Sequence, residues 1–172
     1  MYAGYRAALG RRLMRVPLRE EEAMNVSAFH VRNGIFYVLV VLFAVIVAGM
    51  GDVPVEVPFS VIAVLAIVFG LLGLVLVILA ARLKAPRIEK TFFILTGASA
   101  AGTPIFAVLH NLVYGLFIIW FGEGFWETHT GGDEPVFFIL AVLVCPALFL
   151  IGTVGSIVLI VKSRIAKQAT VA

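Results

Sequence analysis

The sequence is poor in cysteine, in charge and in the short motifs of soluble enzymes. Cys145 is its one cysteine, so no disulfide forms within the chain and no CxxC redox or zinc arrangement exists. Membrane thiol oxidoreductases need paired thiols and are therefore not expected. Only 13% of the residues are charged, against about 25% in soluble domains. GxSxG, HExxH, Walker A and GxGxxG are all missing, so serine hydrolases, zincins and nucleotide-driven pumps lack their parts. Of the histidines, His30, His110 and His129, only His110 falls inside an apolar run. A haem held by histidines on facing helices would lack its second ligand, and no cofactor is expected.

Apolar residues fill the space that charge leaves, at 62% of the chain. They gather into four runs, at about residues 34–50, 59–81, 92–121 and 135–161. Each run suits one membrane-spanning helix, the first being short enough that Val31 and its neighbours should contribute. A basic N-terminal segment, 1–33, precedes them and a basic tail, 162–172, follows. The first run begins after about thirty mostly polar residues, too deep for the core of a signal peptide, and is expected to stay as an anchor. The expected fold is an all-α membrane protein, a four-transmembrane-helix bundle, multi-pass in the cell membrane with the lipid bilayer as its solvent.

Charge orders the loops. All thirteen Lys and Arg fall before the first run, between the second and third, or after the fourth. With Glu20, Glu21, Glu22 and Glu89, that side carries +9. The two other loops hold Asp52, Glu56, Glu123, Glu127, Asp133 and Glu134, a charge of −6. Positive loops stay cytoplasmic, so both termini are expected in the cytoplasm. This asymmetry accounts for the basic balance better than a nucleic-acid footprint, and no nucleic-acid partner is expected. Met50, Trp120, Phe121, Phe125 and Trp126 then fall at the outer boundary, where aromatic side chains favour the interface.

Within Met1 to Arg19, Tyr2, Tyr5, Leu9, Leu13 and Val16 recur at helical spacing among arginines, the pattern of a helix lying in a headgroup layer or of a loose basic tail. Glu20, Glu21 and Glu22 point about 100° apart on a helix, which suits a solvated turn rather than one ion site.

The third run, FFILTGASAAGTPIFAVLHNLVYGLFIIWF, holds most of the polar groups destined for the bundle. At about 100° per residue, Thr96, Ser99, Thr103, His110 and Tyr114 fall within roughly 60° of one another, one stripe along the helix. Asn111 adjoins it. Counted from the end of the run, His110 and Asn111 are expected near mid-membrane, where a polar side chain is either interhelical glue or part of a proton, ion or ligand path. Gly97, Ala98, Ala101 and Gly102 form small-residue faces for close helix contact, as do Gly70 in the second run and Gly152 and Ser156 in the fourth. Small residues cover most of the circumference, so neighbours should surround the cytoplasmic half of the third helix, which should be the most buried of the four. Pro104 and Pro146 should each bend a helix. In the loop EGFWETHTGGDEP, Glu127, His129 and Asp133 are candidate metal ligands, with a plain acidic loop as the alternative. Asp133 is the expected N-cap of the fourth helix, with Pro135 in its first turn.

The stretch LTGASAAGTPIFAVLHNLVYGLF resembles polar-striped helices of uncharacterised small multi-pass prokaryotic membrane proteins. That likeness implies no activity, cofactor or site. The chain lacks the membrane glutamate of small four-span drug exporters. A non-enzymatic component is expected, packing with itself as a homo-oligomer or with a larger membrane complex. The alternative is a transporter or channel-like protein with its path along the third helix. An enzyme using His110 would need a second positioned group, and the runs offer none.

Overall fold

The computed structural model describes residues 26–49 and 58–171. The basic segment from Met1 to Arg19, the acids Glu20 to Glu22, Met50, Asp52 and Glu56 lie outside them. All secondary structure among the described residues is helical. Four helices are long and apolar enough to cross a membrane: Val26–Gly49, Phe59–Arg82, Arg87–Phe121 and Pro135–Ala166.

We label the elements α1 (Val26–Gly49), α2 (Phe59–Arg82), α3 (Arg87–Phe121), α4 (Phe125–Thr130), α5 (Pro135–Ile139) and α6 (Cys145–Val171), with a π turn over Leu140–Val144 joining the last two. Together α5, the π turn and α6 form the continuous fourth long helix.

The helices begin and end where chain chemistry requires. Leu83 after α2 is extended, and Pro86 precedes the first residue of α3. A proline holds the residue before it out of the helical region, so one long helix becomes two joined by a four-residue turn. Lys90 Nζ donates to the carbonyl of Ala81 at 3.2 Å, satisfying one of the acceptors left open at the end of α2. Glu89 lies in the first turn of α3, the favourable end of the dipole for an acid.

Close approach of backbones sets the α2–α3 seam. A Cβ on Gly73 would stand 2.6 Å from the carbonyl oxygen of Gly97, and one on Gly97 would stand 2.6 Å from that of Gly73. Each glycine admits the other's backbone, and any side chain would force the helices apart. Gly70 accepts the ring of Pro104, which a Cβ would meet at 2.5 Å. On the other flank of α3, a Cβ on Gly152 would stand 2.5 Å from Thr96 Oγ1, and Gly155 abuts the ring of Phe92.

The apolar core is built by all four long helices: Phe36 and Leu39 from α1, Phe69, Leu76 and Ala80 from α2, Phe93 and Ala100 from α3, and Phe149 and Ile160 from α6. Phe43 stacks on Phe149 at 4.6 Å, and Phe69 closes the trio at 5.2 Å from Phe149. Phe36 meets Phe93 edge-on at 5.3 Å.

The third helix is buried along half its length only. Phe93, Thr96, Gly97, Ser99 and Ala100 are buried, and nothing beyond Ala100 is. Burial is concentrated in the half that carries the small-residue run, and two features limit it. Ala98 faces outward, so its small-residue spacing with Gly102 serves no contact. The fourth helix also starts beside His110, leaving the last three turns of α3 with the six-residue α4 against them.

Candidate functional site

The polar stripe of α3 divides into three parts with different chemistry. Its inner part is closed on itself. Thr96 Oγ1 donates to the carbonyl of Phe92 at 2.9 Å, Ser99 Oγ to that of Leu95 at 2.8 Å, and Thr103 Oγ1 to that of Ser99 at 3.0 Å. Each hydroxyl spends its proton one turn back on its own helix, a usual solution for Ser and Thr in an apolar setting. Thr96 and Ser99 are buried against neighbouring helices.

Asn111 departs from the stripe. It is exposed, and its Nδ2 donates to the carbonyl of Ala107 at 2.8 Å. Tyr114 joins the aromatic cluster at the C-terminal end of α3 instead, its ring stacked on Trp126 at 5.9 Å and 11°. The Trp126 indole donates to the carbonyl of Tyr114 at 3.0 Å, which fastens α4 to the end of α3.

His110 is the chemical centre. Its Nδ1 lies 3.1 Å from the carbonyl oxygen of Glu134 and 3.3 Å from Glu134 Oε2. Its Nε2 lies 3.5 Å from Asp133 Oδ1. The ring also borders Phe138 at 5.5 Å. The Glu134 side chain is 4% exposed and that of Asp133 59%, so one carboxylate is enclosed and the other reaches solvent. His110 therefore stands beside the start of the fourth helix, at one end of the bundle, and not halfway along it. α3 runs about three turns past this point, beyond the start of its neighbour.

Glu134, not Asp133, caps α5. Its Oε1 accepts from the N–H of Val136 at 2.8 Å and its Oε2 from that of Phe137 at 2.9 Å. Pro135 fills the first helical position, which makes the residue immediately before it the N-cap. That signal was present in the sequence. Asp133 sits one residue further out, its Oδ1 accepting from the N–H of Glu134 at 2.8 Å.

The loop ligands do not converge. His129 stacks on Phe125 at 4.3 Å with Nδ1 2.8 Å from the Phe125 carbonyl, while Asp133 faces His110. Among the described residues, no group of three or more His, Cys, Asp or Glu side chains is arranged to hold a metal ion. The Glu127, His129 and Asp133 set is thus corrected: the turn of α4 directs His129 back onto its own helix.

At the opposite end, sequence reading missed a buried ion pair. Arg32 of α1 is 2% exposed and its Nη2 lies 2.7 Å from Glu89 Oε1 of α3. The same guanidinium donates to Asn33 Oδ1 at 2.9 Å and stands 3.9 Å above the centre of the Phe93 ring. No local pattern joins Arg32 to Glu89, because the partners come from different helices.

The small residues are used inside the bundle. Gly70, Gly97, Ala101 and Gly152 lie on its internal seams, Gly102 faces Cys145, and Ser156 is fully buried. Comparison with family models, curated proteins and solved structures gives no match for this chain.

Proposed function

We propose that this chain is a four-span protein of the cell membrane, with both termini cytoplasmic, acting as a non-catalytic component of a membrane assembly. Along α3, the rise from Lys90 to His110 is about 30 Å at 1.5 Å per residue, the thickness of a bilayer's hydrocarbon layer. No Asp, Glu, Lys or Arg lies on α3 between them. The basic residues Arg82, Lys84, Arg87, Lys90, Lys162 and Arg164 stand on the side of Lys90, and Asp133 and Glu134 on that of His110. Trp120, Phe121 and Trp126 then reach the outer headgroup layer.

The observation that carries the choice of assembly over conduction is the self-bonding of Thr96, Ser99 and Thr103. A conducting path needs polar groups that face a common lumen with free bonding capacity. These three donate inside their own helix and face packed neighbours. Exposed apolar side chains, among them Ile67, Leu71, Ile105, Val108 and Leu112, remain for lipid or for other helices.

A second reading rests on His110. Oxygen atoms of Glu134 and Asp133 stand near both ring nitrogens, a polar cluster at the outer mouth of the bundle. Native mass spectrometry of protein drawn gently from its own membrane separates the two. A reproducible oligomer or a second polypeptide supports assembly. A bare monomer, with ion or proton flux in proteoliposomes that His110→Gln abolishes, overturns it in favour of transport.

A further inference from the structure

Two helix interruptions stand side by side. In α3, Pro104 has no N–H, so the carbonyl of Ala100 loses its donor within the helix. In the fourth helix, Pro146 does the same to the carbonyl of Val142, and its ring would crowd that carbonyl in a regular α-helix. The helix widens there: the N–H of Cys145 reaches back five residues to the carbonyl of Leu140, closing the π turn Leu140–Val144. The two weakened segments touch, since a Cβ on Gly102 would stand 3.0 Å from Cys145 Sγ.

Packing changes across this level. On the inner side lie the α3 and α6 members of the core, Phe93, Ala100, Phe149 and Ile160. On the outer side no residue of α3 is buried. There the two arms, 105–121 of α3 and 135–144 of the fourth helix, stay in contact, with Glu134 and Ala141 buried on the fourth helix. Phe106 stacks on Phe137 at 6.2 Å, and His110 meets Glu134 and Asp133 near the tip.

We infer that these two arms form a pair hinged at adjoining points, Ala100–Pro104 and Leu140–Pro146, and held closed by the clasp of His110 on Glu134 and Asp133. Proline and π interruptions are where helices bend, and hinges are a few residues that absorb a change of direction while packed parts move rigidly. Opening the clasp parts Phe106 from Phe137 and uncovers Cys145, which is buried in the closed form. The inner bundle, pinned by Gly73 on Gly97 and Gly152 on Thr96, does not move.

Cys145 is the only cysteine of the chain, so the native protein carries its own reporter. The experiment measures the rate at which N-ethylmaleimide alkylates Cys145 in lipid nanodiscs at fixed pH. His110→Ala should raise that rate at least tenfold while circular dichroism stays native. Adding Pro104→Ala and Pro146→Ala to His110→Ala should return it toward the wild-type value. An unchanged rate in folded His110→Ala overturns the clasp, and a rate indifferent to the two prolines overturns the hinge. Should a variant not fold, hydrogen exchange of the wild-type chain decides: amides of 105–121 and 136–144 should exchange at least tenfold faster than those of 92–100 and 148–156. Uniform protection across these segments overturns the inference.

Discussion

Arg32 shows how one side chain can be both costly and fixed. A guanidinium at 2% exposure has left nearly all of its water behind. Glu89, Asn33 and the faces of Phe93 and Phe29 replace that water, while Nη1 finds no hydrogen-bond partner in the protein. Burying an ion pair is close to neutral overall, but removing one partner leaves a bare charge, at a cost of about 3–5 kcal/mol. Glu89 keeps some contact with solvent, at 22% exposure, so the lower end applies. Glu89→Gln should therefore destabilise by about 3 kcal/mol, read by chemical unfolding in detergent micelles. The double variant Arg32→Met, Glu89→Gln should recover most of that loss. If the double variant is as unstable as the single one, the pair is not what holds α1 on α3.

At the scale of the element, the fourth helix depends on how it begins. Glu134 caps two amides of its first turn and also faces His110. Glu134→Ala should cost about 1–2 kcal/mol through the cap and also detach His110. Glu134→Gln keeps an acceptor oxygen for Val136 and Phe137 and should cost less. Equal losses in thermal unfolding would mean that the cap contributes nothing. Helix ends are also where sequence and structure differ most. The apolar runs located all four long helices, because a charge-free stretch of that length has few other folds. Their ends extend further, to Val26, Arg87 and Val171, since Arg, Lys, Glu and Gln are good helix formers that a hydropathy count discards. The lost hydrogen bonds at Pro104 and Pro146 were legible from proline alone. The π turn was not, because it answers a steric conflict between Pro146 and its own preceding turn rather than any residue preference.

At the scale of the whole molecule, the segregation of charge makes the plainest prediction. In a Cys145→Ser background, Glu123→Cys should react with a membrane-impermeant maleimide added outside intact cells. Lys84→Cys should react only after the cells are opened. The reverse pattern would invert the proposed orientation, and equal reaction at both would deny a spanning bundle. Periodicity placed Thr96, Ser99 and Thr103 on one face of α3, as the structure has them. Their bonding was not legible, because a hydroxyl that donates to its own helix and one that lines a lumen share the same spacing. That the fourth helix begins beside His110 was not legible, since the length of an apolar run does not state how far a neighbouring helix follows it. The pairing of Arg32 with Glu89 depends on α1 and α3 lying together, which is a property of the assembled bundle.

The turn between α2 and α3 bears on the order of events during synthesis. Four residues, Leu83 to Pro86, separate two helices whose backbones interlock at Gly73 and Gly97. Closing so short a loop costs little chain entropy, and contacts near in sequence form soonest. This hairpin is therefore the natural first structure of the nascent chain. Helix α1, made earlier, must wait for it, since Glu89 and Phe93 do not yet exist when α1 emerges. The fourth helix then arrives at a surface already shaped by Thr96 and Phe92. A chain whose Gly73 carried a bulky side chain would thus fail early, before the last quarter of the protein had been made.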